Sequence, residues 1–252
     1  MRLGHGNKPR GSNRFLSWPV AESYTAVMKH VVLFDIDGTL LSTGGAGQRA
    51  MERALQTAFG FDDRSHDIPA AGRTDRAITL DLFRMHGIAD EPENRSRFWE
   101  AYLRHLPETL AELNGRVLPG IVEILDNLAQ RGDTALGLLT GNLRNGAAVK
   151  LRHYGLDHHF QFGGYGDAHF DRDDVARVAL ADACRHLDRS LPPDCISVVG
   201  DTPADVRCAR AIGARAVAVA TGMFTREELL ATGPDCLLND FSDPAEWLRQ
   251  LV

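Results

Sequence analysis

Lysine is the rarest charged residue of this 252-residue chain, which has only Lys8, Lys29 and Lys150. Lysine and arginine together number 28 against 34 acidic residues, and the formal net charge is -6. The chain therefore has no overall electrostatic attraction to nucleic acid. It also lacks an apolar run near the roughly 20 residues that cross a bilayer. We expect neither a nucleic-acid partner nor a membrane.

Cysteine is scarce as well. The four cysteines contain no CxxC pair, which predicts free thiols in a reducing compartment, the cytoplasm. Residues 1–28 lack the apolar stretch and cleavage site of a signal peptide. Their composition predicts a disordered N-terminal tail, and translation that begins at Met28 is the alternative interpretation.

From residue 29 onward, short apolar runs alternate with longer helical patterns. This alternation is typical of βαβ units, in which a parallel sheet is covered by helices on both faces. The sequence therefore predicts an α/β fold with a Rossmann-like parallel sheet. The predicted strands cover residues 30–36, 134–140, 160–162, 195–200 and 215–220.

The gap between the first two predicted strands is too long for a single crossover helix. Three helical patterns fill it, over residues 47–60, 74–87 and 92–113. We interpret residues 44–115 as a small all-helical domain, with glycine-containing hinges at 44–45 and 114–116. It would be inserted into a core domain made of residues 29–43 and 116–252.

Polar residues follow three of the predicted strands. Because ligands bind outside the carboxyl ends of parallel strands, these residues are expected to face one site. Crowded carboxylates repel one another and need a cation, and a set of hard oxygen ligands without histidine or cysteine indicates Mg²⁺. The three groups are Asp35, Asp37 and Gly38; Thr140, Gly141 and Asn142; and Asp201, Thr202 and Asp205.

The motifs DIDGT, LLTGN and GDTPAD resemble, in this order and spacing, motifs one, two and four of haloacid dehalogenase superfamily phosphatases. The helical insertion resembles the C1-type cap of that family. The resemblance implies that Asp35 is the nucleophile and that Asp37 acts first as general acid and then as general base. It also implies that Asp35, the backbone carbonyl of Asp37 and Asp201 bind Mg²⁺, supported by Asp205. The phosphate-binding residues it implies are Gly38, Thr39, Thr140, Gly141 and Asn142.

One motif departs from the family pattern, which has a lysine ahead of the helix that leads into the fourth strand. Arg172 lies 29 residues before Asp201, close to the expected position, and its guanidinium fork suits a phosphate. We predict that Arg172 takes the lysine's role. Lys150 is the alternative, although its place inside a predicted helix favours a solvated surface side chain.

Within the insertion, residues 71–76 form a glycine turn that runs into a predicted helix. The segment resembles the cap loop of phosphoglycolate phosphatase-like members, which implies that Arg73 contacts the part of the substrate distal to the phosphate. In the alternative interpretation Thr74 caps the helix and Arg73 is solvated. The sequence is compatible with both interpretations.

The function that the resemblance implies is a Mg²⁺-dependent phosphatase of small phosphate monoesters, such as phosphoglycolate or a sugar phosphate. A phosphomutase of the β-phosphoglucomutase kind shares all these motifs and is the main alternative. A dehalogenase would lack the counterpart of Asp37, and a receiver module would lack the helical insertion. A non-catalytic scaffold would have lost Asp35 or Asp37. We expect the substrate to be a small phosphorylated metabolite. Which metabolite it is, and the oligomeric state, do not follow from the sequence.

Overall fold

The computed structural model describes residues 30–61 and 68–251, together with Met1. The predicted N-terminal tail, residues 1–28, lies outside the described residues apart from Met1. Within residues 30–61 and 68–251, no helix has both the length and the apolar character needed to cross a membrane.

The central element is a parallel sheet, to which the described part of the chain contributes six strands. β1 lies in the middle, where Val32 pairs with Leu136 on one side and with Ser197 on the other. The predicted α/β class is therefore confirmed. In spatial order the strands are β5 (Phe162–Gly164), β4 (Thr134–Leu139), β1 (His30–Phe34), β6 (Ile196–Gly200), β7 (Arg215–Val219) and β8 (Cys236–Leu238).

Helices cover both faces of this sheet, so β1 is apolar at successive positions rather than at alternate ones. Val32 and Phe34 face one helical layer, and Phe34 stacks on Trp247 with 5.8 Å between ring centroids. Val31 and Leu33 face the other. The first layer contains α4 (Ile121–Gln130), α5 (Arg144–His153) and α9 (Pro244–Leu251). The second contains α6 (Arg172–His186), α7 (Pro203–Ala211) and α8 (Arg226–Ala231).

The strand predicted at 160–162 is wrong in position, because the structure has it at Phe162–Gly164. Its two glycines have no space for side chains. A Cβ at Gly163 would overlap the backbone of Leu138, and one at Gly164 would overlap the backbone of α6. Glycine is therefore required for the close packing here, although it weakens the strand pattern in the sequence. The short edge strand β8 was not predicted.

β2 (Leu41–Ser42) and β3 (Arg116–Val117) pair as an antiparallel ribbon, and the described residues between them form three helices. We call these helices the cap. They are α1 (Ala46–Phe59), α2 (Asp75–Met85) and α3 (Pro92–Glu112). The cap has an apolar cluster of its own, in which Phe83 and Phe98 pack edge to face at 5.6 Å. Gly44 and Gly45 follow β2 with φ of 63° and 92°, values that favour glycine. The domain boundaries at 44 and 115 stay a prediction.

Candidate active site

Three buried carboxylates converge at the carboxyl edge of the sheet. Asp35 follows β1, Asp201 follows β6, and Asp205 lies in the first turn of α7. One oxygen of each lies within 4.8 Å of the others. The structure thus brings together three of the carboxylates predicted from the strand ends. The fourth, Asp37, lines a cavity together with Asp35 and Asp201.

Arg172 neutralises part of this charge. It begins α6, is 3% exposed, and donates from Nη2 to Asp205 Oδ1 at 2.5 Å and from Nη1 to Asp35 Oδ2 at 3.4 Å. Burial disfavours its charge, but the attraction of Asp205 and Asp35 outweighs this and raises the pKa of Arg172. The guanidinium is therefore a fixed cation between the two carboxylates.

The single charge of Arg172 does not neutralise all three carboxylates. Burial raises the pKa of Asp35 to about 6; Arg172 opposes this shift, while Asp205 and Asp37 add to it. Burial, followed by repulsion from Asp205 and Asp35, raises the pKa of Asp201 well above its usual value. Three carboxylates that share one guanidinium form an oxygen-only set of the kind that binds a hard divalent cation. The residues present therefore fit Mg²⁺.

The surroundings hold Asp201 and Asp205 in place. Thr39 Oγ1 donates to Asp201 Oδ1 at 2.9 Å. Asp205 Oδ2 accepts from the backbone N and the Oγ1 of Thr202, at 3.0 and 2.7 Å, which forms a capping box at the start of α7. Gly38, with φ of 84°, passes so close that a side chain there would overlap the Asp201 carboxylate. Asp205 is thus held by Arg172 and Thr202, whereas Asp201 has fewer partners.

Asp37 lies in a second polar group, and here one expectation from the sequence is wrong. Lys150 is not a solvated surface residue: it is 4% exposed, and its Nζ donates to Asp37 Oδ2 at 2.6 Å and to Asn142 Oδ1 at 2.6 Å. The buried apolar positions of α5 include Ala147 and Leu151, which flank Lys150 on the inner face of the helix. Among the described residues that line the cavity, Arg172 and Lys150 are therefore the two buried cations.

The loop after β4 supplies further polar atoms. Asn142 Nδ2 donates to Asp37 Oδ2 and to Thr140 Oγ1, each at 2.8 Å. Thr140 is fully buried. Gly141 has no room for a side chain, because a Cβ there would overlap the backbone carbonyl of Arg73 in the cap. A glycine at this position thus allows the cap and the core to approach.

The amino end of α2 docks against this loop. Asp75 N donates to Gly141 O, and Leu143 N donates to Asp75 Oδ2, each at 2.7 Å. Asp75 is buried, and burial raises its pKa to about 6 against the opposing effect of Lys150. Arg76 N donates to Gly166 O at 3.3 Å. Asp75 thus connects the cap to the loop after β4, and it was not singled out from the sequence.

Arg73 and Thr74 lie beside this junction. Thr74 caps α2, since its side chain accepts from Ala77 N at 3.1 Å. The guanidinium of Arg73 donates to Asp81 at 2.5 Å and to Pro69 O at 3.0 Å, although the residue also lines the cavity. The Thr74 cap of the alternative interpretation is thus observed, whereas Arg73, whose side chain is 30% exposed, is paired with Asp81. Its contact with a substrate stays a prediction.

Cap and core enclose a cavity of about 490 Å³. Its core side is lined by the charged residues Asp35, Asp37, Lys150, Arg172 and Asp201. The cap residues opposite include Met51, Ile78 and Tyr102. Such a volume suits a small molecule.

Known proteins share this architecture. A model of the family described as haloacid dehalogenase-like hydrolase matches residues 32–210. A phosphoglycolate phosphatase of Synechococcus elongatus is 29% identical over 221 residues, which cover 88% of this chain and 98% of the relative. One from Rhodospirillum rubrum is 28% identical over 233 residues, with 88% and 91% covered. The crystal structure of CbbY from Rhodobacter sphaeroides in complex with phosphate is 25% identical, with a TM-score of 0.67 and coverages of 86% and 96%.

The chain therefore belongs to the haloacid dehalogenase-like hydrolases. Within them it is an enzyme of the phosphatase kind, a phosphoric monoester hydrolase.

Proposed function

We propose that this enzyme is a Mg²⁺-dependent phosphatase of small phosphate monoesters that uses Asp35 as its nucleophile. The observation that supports the proposal most strongly is that Asp35 and Asp37 line one cavity, with Arg172 bonded to Asp35 and Lys150 bonded to Asp37. A nucleophile, a proton donor and cations for the phosphoryl charge are the parts that such a hydrolysis requires.

The reaction proceeds in two steps. In the first, a carboxylate oxygen of Asp35 bonds to phosphorus as the bond to the leaving alkoxide breaks, and protonated Asp37 gives its proton to that alkoxide. In the second, water attacks the phosphorus of the aspartyl-phosphate, Asp37 takes the water's proton, and the bond to Asp35 breaks. Inorganic phosphate and the starting enzyme result. Thr140 and the Gly141 amide hold phosphoryl oxygens during both steps.

Asp35, Asp201 and the backbone carbonyl of Asp37 would bind Mg²⁺, and Asp205, which Arg172 and Thr202 hold in place, would support the metal. The cation would screen the substrate dianion from the carboxylates that surround it.

The four described cysteines form no disulfide, which fits a reducing cytoplasm.

The substrate we propose is a small phosphorylated metabolite. The size of the cavity and the docking of α2 over the loop at Gly141 support this, because both leave limited room beyond the phosphate. Two relatives are phosphoglycolate phosphatases, and a CbbY variant was solved with xylulose-(1,5)bisphosphate. Phosphoglycolate and sugar phosphates are therefore the first compounds to test.

The test is phosphate release from phosphoglycolate, glycerol phosphate, hexose phosphates, nucleotides and para-nitrophenyl phosphate, with and without Mg²⁺. Hydrolysis should require Mg²⁺ and stop in excess chelator, because the buried carboxylates otherwise repel the substrate dianion. Readdition of Mg²⁺ should restore it, and Asp35→Asn is the inactive control. Full activity in chelator would contradict the proposal. Conversion of a hexose 1-phosphate into its isomer without phosphate release would identify a phosphomutase instead.

A further inference from the structure

The two-step reaction above does not explain why Lys150 is buried and bonded to Asp37 and Asn142. It comes from α5 rather than from a strand end, and the start of α1 and Tyr102 close over it, so that its side chain is 6% exposed. Burying a lysine is unfavourable unless its charge is paired and its protons are bonded. Two of its protons go to Asp37 Oδ2 and Asn142 Oδ1, each at 2.6 Å.

Both donors near Asp37 act on the same oxygen. Lys150 Nζ and Asn142 Nδ2 donate to Oδ2, whereas Oδ1 accepts no side-chain hydrogen bond from the residues that the structure describes. The Asp37 side chain is 40% exposed and lines the cavity. One carboxylate oxygen is therefore fixed, and the other is available to a ligand.

We propose that Lys150 is a positioning residue for the general acid and base of this enzyme. It acts through Asp37, keeping Oδ2 anchored so that Oδ1 faces the leaving-group oxygen and, later, the attacking water. The phosphoryl group itself is served by Arg172, which contacts the nucleophile Asp35 at 3.4 Å. The two cations then have separate tasks, and this division rests on the proposed function.

The chemistry of the leaving group separates these tasks. A poor leaving group such as an alkoxide needs a proton as its bond to phosphorus breaks, whereas para-nitrophenolate leaves without one. General acids contribute roughly 10²–10⁴-fold. Loss of their positioning should therefore lower kcat/KM for an aliphatic ester by about tenfold to hundredfold, and for para-nitrophenyl phosphate by less than about threefold.

The experiment compares wild type with Lys150→Met and Lys150→Gln on two substrates. These are para-nitrophenyl phosphate and whichever of phosphoglycolate, glycerol phosphate and a hexose phosphate the wild type hydrolyses fastest. Arg152→Met is the matched control, since Arg152 lies on the same helix and its side chain is 76% exposed. Circular dichroism and thermal unfolding follow the fold of each variant. Lys150→Gln retains a hydrogen-bond donor without charge and replaces Lys150→Met if that variant does not fold.

Two further readouts separate positioning from general damage. With Lys150→Met, para-nitrophenyl phosphate should give a rapid burst of nitrophenol followed by slow turnover, because hydrolysis of the aspartyl-phosphate still needs Asp37 as base. In an Asp37→Asn background, adding Lys150→Met should change the aliphatic rate by less than about threefold, since residues that act as a unit are not additive.

A selective loss on the aliphatic ester supports the inference. Equal losses on both substrates overturn it and make Lys150 a phosphate-binding residue, and unchanged rates on both overturn it as well. A wild type that hydrolyses no phosphate ester overturns the proposed function first, and the inference falls with it.

Discussion

The two buried cations of this site, Arg172 and Lys150, differ in the side chains that they contact. Arg172, at the start of α6, joins Asp205 and Asp35, which come from different strand ends. Lys150, inside α5, joins Asp37 to Asn142. The planar fork of an arginine spans two carboxylates, whereas an ammonium is a compact charge that suits one carboxylate and one amide oxygen. Asp35 is thus paired with Arg172, which it shares with Asp205, and Asp37 is paired with Lys150.

The largest effect is expected from removing Arg172. Arg172→Met should lower kcat/KM by roughly a hundredfold or more, because it removes a preorganised charge next to the developing phosphoryl charge. Unlike the losses expected for Lys150, this one should be similar for aliphatic and aryl esters. Steady-state kinetics on both substrates at saturating Mg²⁺ measure it.

Two variants control for the fold and for charge. Arg177→Met changes the same helix at a side chain that is 58% exposed, and it should retain wild-type rates. Arg172→Lys keeps the charge without the fork and should recover part of the activity. If Arg172→Met spares the aryl ester, the separate tasks assigned to the two cations are wrong.

A smaller effect is expected on stability, from the cap residue that lies near Lys150. The pKa of Asp75 is raised from 3.8 to about 6 in the folded state, so folding binds a proton between these values and the unfolding free energy falls as pH rises through that window. Asp75→Asn should keep the acceptor for Leu143 N without this loss. The variant should gain about 2–3 kcal/mol over wild type at pH 7.5 relative to pH 4.

Urea unfolding of both proteins at the two pH values tests this. All measurements should contain the same chelator. Asp35 and Asp201 then make the same pH-dependent contribution to the unfolding free energy of both proteins, and this contribution cancels when the two free energies are subtracted. A difference that does not change with pH would mean that Lys150 holds Asp75 charged in the folded state over the whole range.

Much of the fold could be predicted from the sequence. Apolar runs predict four of the five expected strands close to their observed positions, together with the cap helices. The rule that strand ends share an edge predicts that Asp35, Asp201 and Asp205 converge. Arg172 could be placed near the carboxylates from its spacing to motif four. The roles of these residues stay predictions that the experiments above test.

Lys150 and Asp75 show where that reasoning failed. Both are charged residues on the inner face of a helix. The charge of Lys150 was interpreted as a sign of solvation, and Asp75 was not singled out. The helical spacing of the neighbouring apolar residues does indicate that both positions are buried. Leu143, Ala147 and Leu151 define a buried face that includes position 150, and Ile78 and Leu82 do the same for position 75. What the sequence could not supply was the partner of each charge, because Asp37 and Leu143 N come from distant segments.

The most direct test of the account is to trap the phosphoryl group on the enzyme. Asp37→Asn should accept phosphate from para-nitrophenyl phosphate yet release it slowly, because the base is missing. A rapid acid quench of this variant with labelled substrate, followed by peptide mass spectrometry, should find the label on Asp35 as a hydroxylamine-sensitive acyl phosphate. It should be absent when Asp35→Asn is added. Label on another residue, or free phosphate in a single turnover without any labelled protein, would contradict the account.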